Sequence, residues 1–407
     1  MKRALVLSGG GSKGSYQIGV YKALKKMHIK IDIITGTSIG AINGALFTEK
    51  KYALAKRMWE NVTSEDLFGE NLNDRDINTY KIFAKSFFRT GGLSNKTMEK
   101  YLREIINEKK VRNSRIEYGL VTYSYKNKKP LLLTKESIPR GELIDYIIAS
   151  ASCFPVLETK KINGDVLIDG GYYDNLPVNL AIEMGADEII AVDLNAVGFR
   201  KEHNNKLVKT SLIKCKDKSP FTISFTKEDA KKNIALGYND TMKHYNQLDG
   251  NNFTFRKKDL IKNYKNIKIY YVDLIETILE NDKQDLISNK IFKINNYNNI
   301  IKNDKEYFNI VNDSLEYLGN ILDIDNTKIY NIDNYNKLIL KNIIKLNYLK
   351  INKKLKGKML VGYIYNKYMS EQNKEKLLKE LFNIALLFKK EFLATIYLIS
   401  ISEKYQK

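Results

Sequence analysis

The chain has 407 residues, 43% of them hydrophobic and 28% charged, with a formal net charge of +21. That length admits two domains or one with a large appendage, and that hydrophobic share excludes a disordered chain. Two cysteines, Cys153 and Cys215, form neither a disulfide framework nor metal-ligand spacing, and read as reduced thiols.

The start, MKRALVLSGGG, has an apolar stretch only from Ala4 to Leu7. This is too short for a signal-peptide core, and no small-residue cleavage site follows. No apolar run reaches the length a membrane-spanning helix needs; the longest candidate, Leu381 to Ile401, is broken by Lys389, Lys390 and Glu391. These features lead us to expect a cytoplasmic protein.

In chain order, RALVLS reads as a strand, followed by the glycine-dense loop SGGGSKG and the helix SYQIGVYKALKKM. IDIITG is a second strand, and IGAINGALF opens a second helix. Residues 58–95 interrupt this alternation. They carry Trp59, Phe68, Phe83, Phe87 and Phe88, which suit either a lid or acyl-chain wall, or a helical excursion with its own small core. EYGLVTYSY and PLLLT follow as strands, GELIDYIIASAS as a helix, and VLIDGG and EIIAVDLN as strands. Strand–helix–strand alternation implies a mostly parallel sheet covered on both faces.

The character of the chain then changes. Residues 1–200 hold 18 of the 23 glycines, and all five prolines lie at or before Pro220. The remainder, with segments such as LIKNYKNIKIYYVDLIETILEND and NKEKLLKELFNIALLFKKEFLATIYLIS, reads as long amphipathic helices. We place a boundary near 250, at QLDGNNF, dividing residues 1–250 from a helical domain of 251–407. Charge is also asymmetric: residues 201–407 carry an excess of +14 and residues 1–200 an excess of +7. The basic half suits an anionic membrane surface. No nucleic-acid module signature is present, and no nucleic-acid partner is expected.

The glycine loop satisfies G-x-G-x-x-G with Gly9, Gly11 and Gly14. Dinucleotide binding further needs an acid at the end of the second strand. Asp32 stands instead at its start, and the end carries Gly36, Thr37 and Ser38. A P-loop also fails, because Ser15 and Tyr16 stand where Lys and Ser/Thr are required. GTSIG, Gly36 to Gly40, is G-x-S-x-G between a strand and a helix, the context of a nucleophile elbow. Parallel neighbours place the glycine loop beside Ser38. Its backbone N–H groups, with that of Ile39, would then form an oxyanion hole.

The serine needs a base. His28 lies at the wrong end of the sheet. His203 and His244 sit in polar surroundings without a local signal. Strand-end carboxylates are better placed: Asp169 in VLIDGGYYDNLP, then Asp193, then Asp174.

LSGGGSKGSYQIGV, GTSIGAING and DGGYYDNLP, in this order, resemble the patatin-like phospholipase family, and the similarity runs on through GLVTYS and ASASCFPV to NIALGYNDTMKHY. The resemblance implies a three-layer α/β/α sandwich that hydrolyses lipid esters with a Ser–Asp dyad and neither cofactor nor metal. It assigns Ser38 as nucleophile, Asp169 as base, and Gly9, Gly10 and Gly11 to the oxyanion hole. Lys13 stands where the family usually has Arg, keeping the charge without the fork geometry. It does not cover the C-terminal 150 or so residues. The expected substrate is a phospholipid or other lipid ester, cleaved through an acyl-enzyme, with peripheral contact to an anionic membrane. The competing expectation is a weakly active or inactive protein that uses the same fold to bind membranes or partners.

Overall fold

The computed structural model describes residues 1–70, 72, 92–202, 207–217, 224–279, 304–344, 356–371, 385 and 387–406. The chain divides into two compact units, Met1–His244 and Tyr245–Lys407.

The first unit is built on an eight-stranded mixed sheet. Its strands are β1 (Arg3–Leu7), β2 (Ile33–Thr37), β3 (Glu117–Ser124), β4 (Lys129–Thr134), β5 (Lys160–Ile162), β6 (Asp165–Asp169), β7 (Glu188–Asp193) and β8 (Lys209–Lys214). They lie in the order β5-β6-β3-β2-β1-β7-β8, with β4 also pairing β3. The run β3-β2-β1-β7-β8 is parallel. The pairings of β3 with β4 and β6, and of β5 with β6, are antiparallel.

The central strands are continuous apolar runs because both of their faces are covered. All of Ala4–Leu7 and Ile33–Thr37 is buried. On one face Ala4, Val6, Ile33, Ile189 and Ala191 pack against Val178 and Ala181 of a short helix, Val178–Glu183. The other face carries the helices α1 (Ser15–Lys26) and α2 (Ile39–Thr48). There the small residue Gly44 of α2 lets the helix settle onto Ile34 and Tyr118. The result is a three-layer α/β/α sandwich around a mostly parallel sheet.

Further helices follow α2: α3 (Tyr52–Asn61), α4 (Ser64–Phe68), α5 (Lys96–Ile105) and α6 (Leu143–Ser150). The helix Lys227–His244 ends the unit by packing along α1.

The second unit is mainly helical. Its described helices are Asp259–Leu279, Asp304–Ile321, Ile332–Ile344, Lys358–Ser370 and Lys389–Gln406. A three-stranded sheet of very short strands accompanies them, and the turn at QLDGNNF joins two of these strands. The unit has its own apolar core, which includes Phe255, Ile267, Leu315, Ile339 and Ile396. Within it Asn263, Asn336 and Tyr397 bond one another in a closed triangle at 2.7–3.0 Å, so this buried polar patch is satisfied internally. Among the described residues, no helix is long and apolar enough to cross a membrane.

Candidate active site

Strand register brings the sequence motifs together. Thr37, the last residue of β2, pairs with Val121 of β3. Asp169, the last residue of β6, pairs with Thr122, the next residue of β3. Since β6 runs antiparallel to β3, the ends of β2 and β6 meet at one point. The next residue after β2 is Ser38, whose hydroxyl faces the Asp169 carboxyl closely enough to lower its pKa, and both residues line one cavity.

Ser38 has φ 55° and ψ −126°, a backbone conformation that non-glycine residues rarely adopt. Such strain persists only where the surroundings impose it. Here the Ser38 N–H donates to Ser150 Oγ at 2.9 Å, and Ser150 in turn donates to the Val121 carbonyl at 2.6 Å. A Cβ on Gly36 would stand 2.3 Å from the Gly40 carbonyl oxygen, and one on Gly40 would stand 2.3 Å from that of Leu7. The sharp strand–turn–helix therefore needs glycine on both sides of the serine.

Asp169 is buried at 4% exposure. It accepts the Gly171 N–H at 2.7 Å. Burial pushes its carboxyl up to about 6, against the opposing pull of the Ser38 hydroxyl and the Gly171 N–H.

In the glycine loop the carbonyl groups are tied back. Gln17 Nε2 donates to the Ser8 carbonyl at 2.8 Å, Ser8 Oγ to the Gly9 carbonyl at 3.1 Å, and the Lys13 N–H to the Gly10 carbonyl at 3.1 Å. Among the described residues, the N–H groups of Gly10, Gly11 and Ile39 have no partner. The Gly9 N–H, counted on sequence among the oxyanion donors, donates instead to the backbone carbonyl and Oδ1 of Asn175, both at 3.1 Å. Gly9 acts as a spacer: a Cβ there would meet Asn175 Oδ1 at 2.4 Å and Ser38 Cβ at 3.0 Å. Lys13 is buried and donates to the Asp217 carbonyl at 3.0 Å. It does not line the cavity at the serine.

That cavity measures about 460 Å³. Gly9, Gly10, Gly11, Ser38, Ile39 and Asp169 form one wall. Met58, Trp59, Leu67, Phe68, Met98, Leu102 and Phe225 supply an apolar remainder. Trp59 and Phe68 of the interrupting segment thus line this cavity, while Phe83, Phe87 and Phe88 lie outside the described residues. Phe225 comes from a distant part of the chain. It exchanges hydrogen bonds with Ser64 at the start of α4, and its ring lies 5.7 Å from Trp59 and 5.9 Å from Phe68.

The other candidate bases lie elsewhere. His28 follows α1 ahead of β2, at the far end of that strand from Ser38, and His244 contacts Ser211 Oγ. Neither lines the cavity. His203 lies outside the described residues. Asp193 is engaged by Arg200 at 2.8 Å and by the Asn195 N–H at 2.7 Å. Asp174 is buried and accepts the N–H groups of Leu176 and Lys201; burial pushes its carboxyl up to about 6 as well, but it does not line the cavity. Asp32 stands at the start of β2, held low by Lys30. Cys153 lines the cavity but is exposed to solvent. Among the described residues, no cluster of three or more His, Cys, Asp or Glu could hold a metal.

Sequence reasoning missed the supports. Ser150, Asn175 and Phe225 touch the site only through long-range contacts. So does a buried chain in which Trp59 Nε1 donates to Asn43 Oδ1 at 2.9 Å and Asn43 Nδ2 to Gln17 Oε1 at 2.8 Å. One available signal was the placing of Gln17 and Asn43 among apolar neighbours in α1 and α2, where a polar residue needs a partner.

Residues 5–182 match the family model "Patatin-like phospholipase". Patatin-like phospholipase domain-containing protein 7 of Rattus norvegicus is 35% identical over 202 residues, 49% of this chain and 14% of that protein. Lysophospholipase NTE1 of Meyerozyma guilliermondii is 34% identical over 210 residues, 49% of this chain and 13% of that protein. The chain thus spans a small part of the curated relatives it matches. VipD from Legionella pneumophila aligns over 98% of this chain and 91% of its own at 14% identity, with a TM-score of 0.34. The part of the chain that is similar to the patatin-like phospholipase family, residues 5–182, contains both Ser38 and Asp169.

Proposed function

We propose that the chain is a lipid acyl hydrolase, cleaving carboxylic esters of phospholipids or lysophospholipids through a Ser38–Asp169 dyad. The carrying observation is a buried carboxyl, pushed up to about 6, that faces an elbow serine at the wall of a largely apolar cavity. Burial turns a poor base into a usable one, because an ideal catalytic pKa lies near the working pH.

In the first step Ser38 Oγ attacks the ester carbonyl carbon and its proton passes to Asp169. The carbonyl oxygen becomes an oxyanion facing the N–H groups of Gly10, Gly11 and Ile39. Loss of one such donor typically costs a factor of about 10²–10³ in rate. The C–O bond then breaks, and the leaving alkoxide takes the proton from Asp169. In the second step water gives its proton to Asp169 and attacks the acyl-enzyme. The fatty acid leaves, and the proton returns to Ser38. The acyl chain lies along Trp59, Phe68 and Phe225 throughout. The name lysophospholipase borne by several relatives makes single-chain phospholipids the first substrates to try.

The test is labelling by a serine-directed fluorophosphonate together with release of fatty acid from lysophosphatidylcholine and phosphatidylcholine. Wild type is expected to label and to hydrolyse, and Ser38→Ala to do neither while unfolding at the same temperature. A wild type that neither labels nor hydrolyses would overturn the reading. Full activity in Ser38→Ala would overturn it equally.

A further inference from the structure

Asn175 is buried at 2% exposure and lines the cavity, yet it cannot take part in the proton transfers described above. Its amide pairs with the Gly9 peptide in both directions. Oδ1 accepts the Gly9 N–H at 3.1 Å, and Nδ2 donates to the Gly9 carbonyl at 3.4 Å, sharing that carbonyl with Ser8 Oγ at 3.1 Å. A trans peptide unit is planar, with its C=O and N–H pointing in opposite directions. Whatever holds the Gly9 carbonyl therefore also aims the Gly10 N–H the other way.

The residue is itself tightly seated. Its backbone N–H donates to the Phe199 carbonyl at 2.6 Å, and the Phe199 N–H donates to that of Gly171 at 2.9 Å. Gly171 is also the residue whose N–H holds Asp169. One side chain thus links the loop that carries the carboxylate to the loop that carries the oxyanion donors.

We infer that Asn175 is a positioning residue. Its amide fixes the Gly9–Gly10 peptide so that the Gly10 N–H meets the developing oxyanion, and it locks the glycine loop to the Asp169 loop. The inference rests on the hydrolase reading of the site. It is specific to asparagine, since the position requires a short side chain offering one acceptor and one donor in a plane. Aspartate keeps the acceptor for the Gly9 N–H but sets a second oxygen against the Gly9 carbonyl. Alanine loses both bonds, while the backbone carbonyl of residue 175 still holds the Gly9 N–H.

The test uses full-length Asn175→Ala and Asn175→Asp. Misaiming one donor is expected to lower kcat by roughly tenfold to a hundredfold, below the full loss of a donor. KM should stay within about threefold of wild type, since the acyl wall is untouched. A second readout does not require turnover: hydrogen exchange of the Gly9 amide is expected to speed up several-fold, with the amides of residues 40–48 unchanged. Unchanged kcat, a KM rise at constant kcat, or unaltered Gly9 exchange would each overturn the inference. A wild type without esterase activity would end the hydrolase reading, and the exchange result would still decide whether Asn175 clamps the loop. Should the aspartate variant fail to fold, the alanine variant carries both measurements.

Discussion

Burial of Asp169 sets the pH behaviour expected of the protein, in activity and in stability. The carboxyl rises from an ordinary 3.8 to about 6. As a base it works only when ionised, so kcat/KM should fall as pH drops through about 6, with a slope of one proton. An acid limb near 4, or none, would contradict the assignment. The stability effect has the opposite sense. A carboxyl raised in the native state leaves the native protein binding more protons between about 4 and 6, so its ionisation penalty grows across that interval and is complete above it. The shift corresponds to a cost on the order of 2–3 kcal/mol. Asp169→Asn keeps an acceptor for Gly171 and removes the charge. It should lose about 10²–10⁴ in kcat, yet match or exceed wild-type thermal stability at pH 8 and show no advantage at pH 4. An Asn variant with wild-type activity would exclude Asp169 as the base.

Among the elements, the decisive event is the meeting of β2 and β6 on neighbouring residues of β3. A second meeting shapes the cavity. The segment ahead of Lys227–His244 exchanges hydrogen bonds with α4 through Phe225 and Ser64, and so closes an aromatic wall begun by Trp59 and Phe68. Phe225→Ala removes part of that wall and should favour longer acyl chains, changing the long-over-short ratio of kcat/KM by roughly tenfold or more. The substitution carries a cavity cost of about 3–5 kcal/mol, so Phe225→Leu serves as the milder comparison. An unchanged chain-length profile with lowered stability would leave Phe225 as ordinary core. This contrast also marks what the sequence makes legible. Ser38 and Asp169 stand in short motifs at strand ends, where local chemistry leaves a signature. The strands themselves show as apolar runs. The antiparallel direction of β6 leaves no such signature, because an apolar run looks the same in either direction. Phe225, Ser150 and Asn175 act through partners about 160, 110 and 165 positions away, and one sequence contains no record of those distances.

At the level of the whole molecule, charge is what distinguishes the second half of the chain. Residues 201–407 carry an excess of +14. Asp333, held down at about 2 by Tyr405, Lys404 and Lys262, is one of the tighter groupings. A basic surface contributes about 1 kcal/mol per Lys or Arg close to an anionic bilayer. Added salt shortens the reach of that attraction from about 10 Å at 0.1 M to 3 Å at 1 M. Full-length Ser38→Ala, which cannot digest the vesicles, is therefore expected to sediment with phosphatidylglycerol-containing vesicles at 0.1 M salt and to be released by 0.5 M. It should bind pure phosphatidylcholine vesicles at least tenfold more weakly. Wild-type hydrolysis of a water-soluble short-chain ester should be nearly insensitive to the same salt, because among the described residues that line the cavity no Lys, Arg, Glu or further Asp stands beside Asp169. Equal binding to both vesicle types, or binding that survives 0.5 M salt, would mean that the positive excess is a solvated surface and that lipid reaches the cavity by apolar contact alone.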